Sequence, residues 1–256
     1  MASRAAPTLA AVAVWLDRTL RVREIPDKSL NGLQVDGPGR VRKVAAAVDA
    51  CEASCAAAAD WGADLLIVHH GLFWGAPEPV TGLLRRRLAR LFAGPTALYA
   101  AHLPLDLHSR LGNNARLAAA LGLRSRVPFG DYHGVRIGVG GNLPAPATIT
   151  ALTSRLGRLF GVVPRVFDHG RARIRRLALV SGGAGDMVFQ AAHKGFDALL
   201  TGEASHPDVL AARELGVHLI LAGHYVTETF GVRALAGSLG KFYDLPVRFF
   251  DFPTGM

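Results

Sequence analysis

A run of four apolar residues, 65–68 (L-L-I-V), stops at two histidines, His69 and His70, followed by Gly71. A continuous apolar run of this length marks a strand buried on both faces. Such a strand needs a mostly parallel sheet with helices on either side, because a strand with one wet face would alternate polar and apolar residues. The two imidazoles are equally constraining. Neighbouring side chains on a regular strand point to opposite faces, so both serve one site only if the strand ends and the chain turns, which Gly71 permits. Otherwise they serve two ions lying side by side, or they are polar residues closing a strand. Neutral imidazole is the commonest biological metal ligand, and we adopt the metal or catalytic reading.

The rest of the chain keeps the rhythm that such a sheet requires. Thr8 is a good N-cap, and Leu9, Val12, Leu16 and Leu20 recur at helical spacing behind it, so the chain opens with an amphipathic helix. An irregular stretch over 24–42 contains N-G-L-Q-V at 31–35. Strands are expected at 44–48, 65–68 and 96–100, and helices at 51–61, 83–92 and 113–121. Residues 127–142, rich in glycine, break the alternation, and a boundary is placed near Val127. A second set follows: strand 135–139, helix 147–160, strand 177–180, helix 186–194, strand 198–200 and helix 207–215. The closing segment reads as strand 217–221, helix 225–239 and strand 247–250. This alternation predicts the α/β class, with a first unit of residues 1–127 plus 216–256 and a second of 128–215.

In open α/β sheets ligands sit outside the C-terminal ends of strands, and each polar cluster of this chain falls at such an end. A-A-H-L-P-L-D supplies His102 and Asp106 after the 96–100 strand. An Asp in a loop is commonly a turn or cap residue, but its place after a buried strand matches that of His69 and His70. A-G-H-Y-V-T-E-T follows the 217–221 strand, and on a helix His224 and Glu228, spaced i, i+4, share one face. Glu203 and His206 follow the 198–200 strand. Together with His102 they are candidates for acid/base work or for supporting the ligands, against ordinary loop polarity. S-G-G-A-G-D at 181–186 links a strand to a helix, where free N–H groups could hold a phosphate, yet it lacks G-K-S/T and is read as a tight turn in preference to a phosphate site. Phe73 and Trp74 are expected to wall the imidazoles.

These motifs, H-H-G-L-F-W-G, H-x-P-L-D, T-G-E near 201–206 and G-H-Y-x-T-E, resemble in combination and order the Nif-three-like family, the GTP cyclohydrolase I type 2 homologues. The resemblance runs from N-G-L-Q-V to the C-terminal D-F-P-T-G. It implies two interlinked three-layer α/β units with a dinuclear metal site in the cleft between them, and a toroidal homohexamer. Carried over motif by motif, the metal ligands are His69, His70, Asp106, His224 and Glu228. At 256 residues the chain has no room for the inserted domain of some members and resembles the short form. It reads G-N-N where many relatives have G-G-x-N, so the roles of Asn113 and Asn114 stay open.

Five imidazole and carboxylate donors suit zinc, manganese, iron or nickel, while the absence of thiolate argues against a closed structural zinc site. Five donors do not saturate two divalent ions, and the open positions are for water or substrate. Two ions about 3.5–4 Å apart lower the pKa of a bridging water and polarise the group under attack. The expected reaction is therefore hydrolysis of a nucleotide or other small anionic substrate, purine-ring opening being what the family name implies. The alternative is a metal-containing hexameric binding or regulatory protein without turnover of its own.

Composition narrows the partners. The formal charge of +9 and pI near 10.4 invite a nucleic-acid reading, but only four of the 29 basic residues are lysines. With abundant alanine and glycine this reflects a genome rich in G and C more than a DNA-binding surface. The arginine clusters at 85–87 and 171–176 lack interleaved aromatics, so nucleic acid is weakly supported. An apolar fraction of 50 % and mean hydropathy of +0.24 exclude disorder. Residues 5–16 fall short of the roughly 20 apolar residues of a span. Asp17 and Arg18 follow them directly, with no small-residue cleavage site ahead. A cytoplasmic protein away from membranes is expected. Cys51 and Cys55 have no zinc or redox spacing and are expected to be small core residues.

Overall fold

The computed structural model describes residues 5–256 and carries the expected alternation of strand and helix along them. Contacts divide the chain into a first unit, Met1–His108 with Val232–Phe252, and a second, Ser109–Gly231 with Pro253–Met256. Among the described residues the fold is mixed α/β, with two sheets and nine α-helices.

The first unit holds α1 (Leu9–Leu20), β1 (Gly32–Val35), β2 (Val44–Asp49), α2 (Glu52–Asp60), β3 (Leu65–His70), α3 (Gly82–Ala93), β4 (Ala97–Ala100), α4 (Leu103–Asp106) and β11 (Val247–Phe249). Its sheet runs β1-β4-β3-β2-β11, all neighbours parallel except β1 against β4. The central β3 is the apolar run, and its four residues Leu65, Leu66, Ile67 and Val68 are all fully buried. Burying an aliphatic side chain of this kind contributes about 1.5–3 kcal/mol. Leu66 and Val68 pack in one cluster with Cys55 and Ala58 of α2 and Leu84, Leu88 and Leu91 of α3. Leu65, Ile67 and Tyr99 fill the opposite face, where the Tyr99 hydroxyl donates to Asp17 of α1 at 2.8 Å. The Thr8 hydroxyl accepts from the Ala11 N–H and starts α1, whose buried stripe is Leu9, Val12, Leu16 and Leu20. Cys55 lies in the core as expected, but Cys51 does not. Its half-exposed thiol caps α2 by accepting the Ser54 N–H, while the Ser54 hydroxyl accepts the Cys51 N–H. The irregular 24–42 stretch contains β1, a strand too short and too mixed in pattern to read from the sequence.

The second unit holds α5 (Asn113–Ala120), β5 (Arg124–Tyr132), β6 (Val135–Ala147), α6 (Ile149–Phe160), β7 (Arg165–Phe167), β8 (Ile174–Leu179), α7 (Val188–His193), β9 (Ala198–Thr201), α8 (His206–Leu215) and β10 (His218–Leu221). Its sheet runs β5-β6-β8-β9-β10-β7. Leu177 and Leu179 of β8 pack with Leu117, Leu152 and Leu156 of α5 and α6, while Ala178 packs with Val188, Ala191 and Ala212 of α7 and α8, so helices cover both faces. The break at 127–142 is an antiparallel hairpin of β5 and β6, turning at His133 and Gly134 with positive φ. The chain enters this unit at 108/109, ahead of the expected boundary at Val127, because Leu117, Ala118 and Leu121 belong to its core. Residues 216–231 stay with it because β10 pairs in parallel with β9. The last helix, α9 (His224–Tyr243), starts in the second unit and ends in the first. Among the described residues no helix is long and apolar enough to cross a membrane.

Candidate metal centre

In the first unit the strand does not stop at the histidines. β3 runs through both, with His70 opposite Asp49 of β2, but its pairing with β4 ends at Val68 and Ala100. Past that point the rings approach one another, with centroids 4.7 Å apart. Each is held through Nδ1. His69, fully buried, meets the Ala101 carbonyl at 2.8 Å, and His70 meets the Asp49 carboxylate at 2.8 Å. His102 joins them: its Nδ1 lies 3.0 Å from both carboxylate oxygens of Asp27. Ligand atoms of His69, His70 and His102 all fall within 4.8 Å of one another. Asp106, on the short α4, approaches Nε2 of His69 at 3.4 Å and is buried. The Trp74 indole stands 5.0 Å from the His102 ring and 5.9 Å from that of His70, fixed by its N–H to the Gly71 carbonyl, so it forms the expected wall.

Gly71 acts here by its size. A Cβ at this position would lie 2.4 Å from Nε2 of Gln34 and 2.6 Å from the Ala100 methyl. Gln34 is thereby free to accept the Leu72 N–H at 2.7 Å. Asn31, the other polar residue of N-G-L-Q-V, accepts the His102 N–H at 2.7 Å and donates to Asp27 at 2.8 Å. Burial would raise the Asp27 carboxyl, but hydrogen bonds from His102, Asn31 and the Ser29 N–H outweigh it and hold the group at about 2.

In the second unit His224 opens α9, with Nδ1 held by Glu203 at 2.9 Å and Nε2 3.2 Å from the buried Glu228, the i, i+4 pair expected on one helix face. The hydrogen bond to Glu228 is the main reason that His224 is raised to about 9. Burial opposes the shift and Glu203 adds to it. Gly182 passes this pair with φ +71, and a Cβ there would lie 2.4 Å from Oε1 of Glu228. The S-G-G-A-G-D segment is a turn in which three N–H groups have acceptors within the protein. Ser181 donates to Asn114, Gly182 to the Thr227 hydroxyl and Ala184 to the Thr201 hydroxyl. Asn113 and Asn114 are both buried and structural, the first accepting the Gly231 N–H at 2.6 Å.

The first unit thus brings together His69, His70, Asp106 and His102. The second brings together His224, Glu228 and Glu203, while His206 sits exposed at the first turn of α8. Asp27 and Asp49 escaped the sequence reading. For Asp49 the signal was its place at the C-terminal end of a strand. For Asp27 it was the pattern D-x-S-x-N at 27–31, an Asx-type turn, which resembles any other polar loop. Part of the basic surface is already engaged: Arg86 and Arg90 reach Glu52, and Arg176 lies over the Phe196 ring.

The model of the Duf34/NIF3 (NGG1p interacting factor 3) family matches residues 7–254. The chain is 45 % identical over 242 residues to a Deinococcus radiodurans protein called GTP cyclohydrolase 1 type 2 homolog, covering 94 % of this chain and 92 % of that one. It is 47 % identical over 242 residues to the Halobacterium salinarum protein of the same name, with coverages of 93 % and 95 %. Among solved structures it is similar to TTHA1606 from Thermus thermophilus, with a TM-score of 0.90 and 44 % identity, covering 98 % of this chain and all of that one.

Proposed function

The chain belongs to the Duf34/NIF3 family, and on that premise we propose that it is a dinuclear metal-dependent hydrolase of a nucleotide or similar small anionic molecule. Its ligands are His69, His70, Asp106, His224 and Glu228, and it works as a homohexamer. The observation that carries the reading is shared by four imidazoles. Nδ1 of His69, His70, His102 and His224 is engaged by a carbonyl or a carboxylate, so each ring, when neutral, keeps its lone pair on Nε2; His224 reaches that state only on losing the proton that Glu228 holds at its Nε2. Metal-ligating histidines are oriented in this way by the partner of the other nitrogen, which also raises the basicity of the ligand. An all-imidazole and carboxylate set with no thiolate suits exchangeable first-row divalent ions.

Divalent ions held by such donors supply Lewis acidity and bring the pKa of water towards neutrality. The protein's own groups hold and move protons around that chemistry. Glu203 fixes the His224 ring, and Nε2 of His102 offers a base beside His69 and His70. The name shared by the relatives, GTP cyclohydrolase 1 type 2 homolog, makes purine nucleotides the first substrates to test.

The test is elemental analysis of the untagged, as-purified protein beside a His224→Ala/Glu228→Ala double variant. About two ions per chain, lost in the variant, support a dinuclear centre. Nucleotides and phosphoesters are then screened with the metal found. Absence of metal in fresh protein, with none taken up from added divalent ions, would overturn the ligand assignment. Turnover unchanged in His70→Ala would sink the hydrolase.

A further inference from the structure

Of the four imidazoles, His102 is the one whose surroundings are organised by a single distant side chain. Asp27 lies 75 residues earlier in the chain, its carboxylate 3 % exposed. One oxygen accepts the Leu103 N–H at 2.9 Å and the Asn31 amide at 2.8 Å, and the other accepts the Ser29 N–H at 3.1 Å. Three N–H donors therefore already point at the carboxylate, and His102 Nδ1, 3.0 Å from both oxygens, is the fourth group on it. The Leu103 bond has a second consequence. α4 begins at that residue with no cap from its own N-cap side chain, so Asp27 supplies the missing cap at the start of the helix that carries Asp106.

We propose that Asp27 is a positioning residue that locks neutral His102 into the Nδ1–H tautomer, presenting a lone pair at Nε2 to the His69 and His70 group. The tautomer follows from this chain's own contacts. The use of that lone pair by an ion or a reacting proton rests on the metal centre proposed above. Asn at this position keeps the shape but not the polarity. With the amide oxygen facing Asn31 and Leu103, the NH2 faces His102 Nδ1 and the Ser29 N–H; the oxygen keeps one of the two 3.0 Å contacts with Nδ1, so the Nδ1–H preference weakens and the form with the proton on Nε2 gains. In that form the lone pair is turned away from the histidine group.

The experiment is 15N–1H NMR of the imidazole nitrogens in the full-length, metal-free protein, with His102 assigned by loss of its signals in His102→Gln. Nδ1–H in the wild type and a gain of the Nε2–H form in Asp27→Asn is the expected pair of results. An Nε2–H His102 in the wild type overturns the proposal whether or not the variant folds, and so does an unchanged tautomer in a folded Asp27→Asn. Asn31→Ala, which removes the amide bonds to Asp27 and to the His102 main chain but leaves the carboxylate, is expected to keep the Nδ1–H form. A switch there would assign the tautomer to the loop as a whole and overturn the role of Asp27. Zinc titration of the same samples gives a separate readout. No uptake in the wild type, with the tautomer as expected, would count against the metal centre alone.

Discussion

Gly182 couples backbone conformation to the ligand pair on α9, and replacing it separates two costs. At φ +71 any residue with a Cβ adopts the left-handed region at about 1–2 kcal/mol. The new Cβ would also lie 2.4 Å from Oε1 and 3.4 Å from the carboxyl carbon of the buried Glu228, and 3.3 Å from Nε2 of His224. The carboxylate is the far end of a flexible side chain, so it yields and loses its contact with His224. A hydrogen bond to a charged partner contributes about 1.5–3 kcal/mol. Gly182→Ala should therefore destabilise the metal-free protein by about 2.5–5 kcal/mol, lowering the Tm by about 5–20 °C for a chain of this size. Gly134, at φ +84 in the β5–β6 turn with nothing within 4 Å of its Cβ position, is the control. Gly134→Ala carries only the conformational cost of about 1–2 kcal/mol. Calorimetry of both variants, followed by zinc titration, reads the difference. Equal Tm losses in the two, with wild-type zinc uptake by Gly182→Ala, would refute the link between the turn and Glu228.

Five further outcomes are expected. His224 is raised to about 9 in the metal-free protein, so an ion must displace a proton there, and zinc affinity should climb from pH 6 to about 9 and then level. The same shift has the opposite sign for folding: the contribution of His224 is complete below the unfolded value of about 6.5 and is lost as pH rises through about 9, which metal-free Tm against pH would show. Gly71→Ala should push Gln34 off the Leu72 N–H, with a Tm loss and a weakened His70 position read from its NMR shifts. Leu66→Ala, at a fully buried position in the centre of β3, should cost about 2.7–5 kcal/mol in urea unfolding, and a cost under 1 would mean that the core is not packed as described. Light scattering should report about six times the 27.1 kDa chain mass if the proposed hexamer forms.

What the sequence made legible is what local chemistry encodes. The apolar run of β3, the Thr8 cap and stripe of α1, and the i, i+4 spacing of His224 and Glu228 each carry their structural meaning within a few residues. Some short elements were not legible. β1, β7 and α4 are three or four residues long and mixed in pattern, whereas β4, β9 and β10 are as short but show up as buried, largely apolar runs. The partners of the imidazoles were hidden for another reason. Asp27 and His102, Asp49 and His70, and Glu203 and His224 are 75, 21 and 21 residues apart, and only the folded sheet order brings them together. The two histidines were read through the strand period alone, which misses that β3 outruns its partner β4 before reaching them.

The ends of the two sheets carry a consequence for how copies of this chain meet. An unpaired strand edge is a template on which another chain can add a strand. In the first unit the edges are β1, four residues with an irregular register, and β11, three residues. In the second they are β7, also three residues, and the longer β5. β5 carries exposed Arg124, Arg126 and Asp131, has no N–H at Pro128, and breaks register between Arg124 and Val127. None of the four invites sheet extension. Short, irregular or charged edges of this kind guard a sheet against fibre-like stacking.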